Sequence, residues 1–147
     1  MNEIDKEEFD RTLNDTNNGS VPGPSQITYE IIKKCSSIMK NIIREFFNLV
    51  LKTATFPKKW SRGMIYPIPK TVDWNLDLSK IRPITLLECP RTFFLKILNN
   101  RLTKILVKNK NVLGKHNYAA LPDSSTLEPM YVLNNVIEDA RENKKEL

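Results

Sequence analysis

The sequence predicts an α+β chain, mostly α-helical, with four to five helices and one small antiparallel β-ribbon. Three observations carry that expectation. Apolar residues recur at helical spacing in several separate stretches. Two short apolar runs, MIYPIPK and IRPITLL, contain proline and read as extended structure instead. Cap and turn residues punctuate the boundaries between these stretches.

Residues 2–14 form a short amphipathic helix on this reading, with Ile4, Phe9 and Leu13 apolar. The segment NDTNNGSVPGPSQ then ends regular structure, and Gly23 between Pro22 and Pro24 marks a stiff turn. Helix resumes near Thr28 in TYEIIKKC. Ser36 or Ser37 caps a further helix, SIMKNIIREFFNLVLKT, in which Ile38, Ile42, Ile43, Phe46, Leu49 and Val50 form one broad apolar face. Pro57 ends it.

The ribbon comes next. A proline within a strand removes a ladder donor, and Pro67 and Pro69 are two residues apart, so their missing N–H groups point to the same side. Ile68 still donates to the other side. Residues 64–70 are therefore expected as an edge strand, joined to the IRPITLL arm by a connection over residues 71–81. Residues 90–108 return to helical spacing, with Phe94, Ile97 or Leu98, Leu102, Ile105 and Leu106 inward, and with Arg101, Lys104 and Lys108 along one flank. A loop containing Gly114 and Pro122 leads to a last helix from near Ser124 or Ser125, carrying Met130, Leu133, Val136, Ile137 and Ala140.

Charge is segregated along the chain. Residues 52–115 carry fourteen Lys/Arg against Asp73, Asp77 and Glu88, a net +11 within a total of +6, which leaves −5 elsewhere. Such a block favours a polyanionic partner through summed field and counterion release. Catalytic chemistry has less to work with. His116 is the single histidine, so neither a hydrolytic triad nor a histidine-based metal site is expected. Asp73 and Asp77 read as turn acids, and four glycines leave no phosphate loop. Catalytic residues, metal ligands and cofactors are accordingly expected to be none in this chain. Cys35 and Cys89 lack metal spacing and read as reduced core residues. The acidic N-terminus and the lack of any run of about eighteen apolar residues predict an intracellular protein of nucleus or cytoplasm, neither secreted nor membrane-spanning.

Trp60 lies among Lys58, Lys59 and Arg62 in FPKKWSR, a composition suited to backbone contact with stacking, although a core plug under the helices is the better reading of the ring. Lys70 and Arg82 flank the two ribbon arms. Lysine supplies a point charge there and arginine a planar fork for phosphate oxygens.

The order of these pieces resembles the N-terminal, fingers side of reverse transcriptases of non-LTR (LINE-like) retrotransposons. VPGPSQITYEIIKKC is similar to the family's Pro-Gly-Pro turn and following helix, and FFNLVLKTATFPKKW to the helix ending in proline and tryptophan. MIYPIPK and IRPITLL resemble the two arms of the fingers hairpin, KILNNRL the helix after it, and HNYAALPDSSTLEP a loop-to-helix junction. The junction departs from the family in placing Asp123, not glycine, after Pro122.

The resemblance implies residues 1–19 as a polar, helical extension and residues 20–147 as a partial reverse transcriptase domain, fingers and the start of the palm. It implies that Lys70 and Arg82 project from one ribbon toward a triphosphate or template backbone, that Arg101 and Lys104 touch template, and that residues 117–126 help place template and primer. It implies RNA template, DNA primer and deoxynucleotide as partners, together with the missing palm portion, and Mg²⁺ as cofactor of the complete enzyme only. No tyrosine followed by paired aspartates occurs in the 147 residues, so the chain is expected to be inactive alone. A non-catalytic nucleic-acid-binding remnant, or a helical interaction protein derived from such an element, is the alternative.

Overall fold

A computed structural model describes residues 2–74, 77–109 and 125–145. Among them are α1 (Lys6–Asn14), α2 (Tyr29–Lys34), α3 (Ser37–Thr53), β1 (Met64–Pro69), β2 (Ile81–Leu86), α4 (Cys89–Lys108) and α5 (Leu127–Glu142). One-turn 3₁₀ segments cover Lys58–Ser61 and Leu78–Lys80. The chain is α+β and mostly helical, with β1 and β2 as a two-stranded antiparallel sheet. It divides into two compact units, Met1–Asn99 and Asn100–Leu147.

Caps set where the helices of the first unit begin. Asp5 accepts from the Glu8 N–H at 2.8 Å, Thr28 from Ile31 at 3.4 Å and Ser36 from Met39 at 3.3 Å, each filling one of the donors a helix start leaves open. At the other end of α3, Ala54 takes the left-handed conformation (φ 52°) that glycine ordinarily supplies, and Pro57 follows.

The core of this unit is aromatic. Phe47 of α3 meets Phe9 of α1 at 6.0 Å, Phe93 and Phe94 of α4 at 5.4 and 5.3 Å, and Trp60 at 6.2 Å, in tilted or edge-on geometry. Ile4, Phe9 and Leu13, from the polar N-terminal segment, belong to the same cluster as Ile32, Val50 and Ile97. Asn48 ties that segment down. Nearly buried, it accepts from the Ile4 N–H at 2.7 Å and donates to the Ile4 carbonyl at 3.2 Å. The Arg44 guanidinium donates to the same carbonyl at 3.0 Å.

Two expectations about inward faces need correction. In α3 the buried residues are Phe47, Asn48 and Val50, whereas Ile38, Ile42, Phe46 and Leu49 are exposed. In α4 Phe93, Phe94 and Ile97 are buried, but Leu102 and Ile105 are exposed. In α3 the apolar surface is wider than the packed neighbours cover, and the aromatic cluster selects the sector that goes in. In α4 the buried residues all lie in the first half of the helix, and Leu102 and Ile105 stand further along it, past the cluster.

In the second unit α5 forms as expected, with the Ser125 hydroxyl accepting from the Leu127 N–H at 2.9 Å. Ala140 is buried, whereas Met130, Leu133 and Val136 are exposed. His116, the loop with Gly114 and Pro122, and nearly all of residues 117–126 lie outside the described residues. No described helix is long and apolar enough to cross a membrane.

Candidate nucleic-acid interface

The ribbon pairs Met64 with Leu86, Ile65 with Thr85, Tyr66 with Ile84, Pro67 with Pro83, Ile68 with Arg82 and Pro69 with Ile81. The Lys70 N–H donates to the Lys80 carbonyl at 2.8 Å and extends this register by one step. Hydrogen-bonded and non-bonded pairs alternate in an antiparallel ladder, so the bonded pairs are the even-numbered ones: 70 with 80, 68 with 82, 66 with 84 and 64 with 86. Pro67, Pro69 and Pro83 all fall on non-bonded pairs. None costs the ribbon an internal donor, which is why three prolines are compatible with six paired positions.

The pleat decides where the cations stand. Side chains opposite one another share a face, and the face repeats every second residue. Arg82 is opposite Ile68, and Lys70 is two residues beyond Ile68, so Lys70 and Arg82 occupy one face on neighbouring steps. Lys80, opposite Lys70, stands at the same end of the ribbon. It was counted in the basic block but not picked out as a site residue, because only the register shows how the connection closes.

Local bonds hold this end. The Lys70 ammonium donates to the Ser79 carbonyl at 2.9 Å, and the Asp77 carboxylate accepts from the Ser79 N–H at 2.9 Å and hydroxyl at 2.8 Å. The Ser79 hydroxyl, then its N–H, hold the Asp77 carboxyl below the usual carboxylate range, with a smaller contribution from Lys70. Lys70 and Arg82 are exposed, and neither meets a carboxylate at ion-pair distance among the described residues.

The base of the ribbon is clamped by a contact that spacing does not reveal. Glu88, between β2 and α4, is nearly buried; its carboxylate accepts from the Ser25 N–H at 3.1 Å and from the Ser25 hydroxyl. Gly23 lies so close that a Cβ there would stand 2.6 Å from the Glu88 nitrogen and the Leu87 carbonyl carbon. The Pro-Gly-Pro turn thus carries glycine because backbone passes against backbone. Beside it, burial, then the Glu88 charge, push the Cys89 thiol pKa up, while burial raises that of Tyr29.

Arg101 and Lys104 lie one turn apart on α4, in the second unit. Lys104 is exposed, whereas Arg101 is half-buried and already engaged. Trp60 is buried at 7% exposure, as the core-plug reading expects. Cys35 and Cys89 are free thiols. Among the described residues no three His, Cys, Asp or Glu side chains converge as a metal site would require.

Fold and site together define a helical α+β chain whose β-ribbon carries Lys70, Lys80 and Arg82 at its exposed end. Over 99 residues the chain is 27% identical to the probable RNA-directed DNA polymerase from transposon BS of Drosophila melanogaster. The match takes in 67% of this chain and 11% of that protein, so the chain corresponds to about a ninth of the relative's length. This likeness supports a relationship to the reverse transcriptases of transposable elements. No protein-family model matches the chain.

Proposed function

We propose that the chain is a portion of an RNA-directed DNA polymerase, the fingers side with the start of the palm, that positions template and incoming nucleotide without completing the reaction itself. The observation that carries this is the placement of Lys70 and Arg82 on one ribbon face, exposed and with no carboxylate at ion-pair distance among the described residues. An ammonium and a guanidinium so arranged bind separate oxygens of one polyphosphate. Arg101 and Lys104 would add contacts to template backbone. A complete polymerase of this kind would need aspartates to hold Mg²⁺, which would stabilise the charge as the primer 3′-hydroxyl displaces pyrophosphate from the nucleotide; no Tyr-x-Asp-Asp sequence occurs in the 147 residues.

Primer extension on an RNA template with Mg²⁺ tests the catalytic half of this reading, and the chain alone is expected to give no incorporation above background. Salt-dependent binding of RNA tests the positioning half: affinity should fall steeply with ionic strength, and K70A/R82A should flatten that dependence. Binding indifferent to salt sinks it.

A non-catalytic nucleic-acid-binding role is the second reading, and one observation favours it. Residues 52–115 carry fourteen Lys/Arg against three acids, and among the described residues neither Glu88 nor Asp77 pairs with one of those cations at ion-pair distance.

A further inference from the structure

We propose that the cleft lined by Phe56, Trp60, Ser61, Arg91 and Leu95 is a stacking site for an unpaired base of single-stranded nucleic acid. The cleft, about 210 Å³, opens between the α3-to-β1 connection and the first turns of α4. It lies below the roughly 300–1,000 Å³ of sites that engulf whole small molecules, and suits one planar ring.

The ring that offers a free surface is Phe56. Trp60 is spent inside, edge-on to Phe46 at 5.8 Å and Phe47 at 6.2 Å. Phe56 rests on Trp60 at 6.2 Å and on Phe94 at 6.0 Å, yet is 52% exposed. Both contacts are tilted or edge-on, so the ring is held in place while about half of it stays in reach of a stacking partner. The Arg91 guanidinium donates to the Trp60 carbonyl at 2.6 Å, which fixes a flat, cationic group at the cleft wall. Leu95 adds partly exposed apolar surface, and Ser61 a hydroxyl.

Charge around the cleft selects the occupant. Lys58, Lys59 and Arg62 are exposed beside it, and none meets a carboxylate at ion-pair distance among the described residues. A neutral aromatic ligand would gain nothing from these cations. A nucleic-acid strand would place a base in the cleft and its flanking phosphates on them. A duplex would not, because its bases are paired and stacked.

The site rests on the nucleic-acid reading above, though not on the ribbon. The test is binding of a short fluorescent oligouridine, and of a duplex of the same length, to the full chain and its variants across a salt series. Phe56→Leu keeps apolar bulk and loses the ring. It should weaken single-strand binding on the order of tenfold, leave duplex binding unchanged, and keep the salt slope, since no phosphate contact is removed. Ser61→Leu, which fills the cleft from an exposed position without touching the core, should do the same if Phe56→Leu fails to fold. K58A/K59A/R62A should instead lower the salt slope for both ligands. A folded Phe56→Leu or Ser61→Leu chain that binds oligouridine as the parent does overturns the proposal, as does a parent that binds no single strand. K70A/R82A separates the two readings: loss of binding there alone leaves the ribbon and removes this cleft, and loss at Phe56 alone does the reverse.

Discussion

Phe47 and Tyr66 are aromatic residues of the same unit, and they meet water in opposite ways. Phe47 is fully buried among rings from α1, α4 and the turn after Pro57. Tyr66 sits mid-ribbon at 56% exposure, in a strand where no residue is buried. The helices of this unit therefore keep one aromatic cluster from water, while neither strand of the ribbon has a buried residue. Stability should reside in the helices and recognition in the ribbon. That division can be broken by experiment.

The largest effect is expected at its stable pole. Phe47→Ala should cost about 3–5 kcal/mol in denaturant unfolding, because neighbouring rings cannot close the gap. A loss near 1 kcal/mol would mean that the cluster is loosely packed and the contrast with the ribbon overstated. Gly23→Ala probes the joint between the two regions. Its methyl would press on Leu87 and Glu88 backbone, which has no rotamer to yield, so a loss of about 1–3 kcal/mol is expected along with weakened oligonucleotide binding.

Alkaline titration sharpens the helical side. The thiol of Cys89 and the phenol of Tyr29 both have pKa values raised by burial. Below the ordinary thiol and phenol ranges both groups are protonated whether the chain is folded or not. Above them the unfolded chain releases its protons first, so stability falls as pH rises until the folded-state values are passed. Cys89→Ala should make that alkaline limb shallower in thermal unfolding monitored against pH.

The smallest change in stability belongs to the ribbon. K70A/R82A should alter unfolding free energy by no more than about 0.5 kcal/mol. The slope of log affinity against log salt should nevertheless drop by roughly two, one for each cation removed. A large stability loss here would show the cations to be structural and would erase the distinction.

The same division explains what could be read from residue order. The starts of α2 and α3 were legible because caps are local: Thr28 and Ser36 act on N–H groups three residues on, whereas α1 begins at Lys6, behind the Asp5 cap, and not at residue 2. The ribbon was legible because Pro67 and Pro69 share a parity; Lys70 and Arg82 could be set beside its two arms, but their common face follows only from the register. The packed sector of α3 was not. Phe46 and Phe47 are adjacent, periodicity admits either, and the choice falls to Phe9, Phe93 and Phe94, which lie far off in sequence. Long-range ties were equally hidden, with Asn48 reaching Ile4 across 44 residues and Glu88 reaching Ser25 across 63. Trp60 was legible as a core ring, but the exposed face of Phe56 was not, since exposure depends on what α4 leaves uncovered.

The parity of the prolines has one more effect. Odd-numbered ribbon residues aim their backbone groups away from the partner strand, and of the six paired ones three are Pro67, Pro69 and Pro83. A greasy two-stranded element open on both sides would otherwise be a template on which copies of itself stack into fibrils. With those donors gone, a second molecule finds no continuous row to zip onto. The chain can present sticky side chains without becoming its own seed.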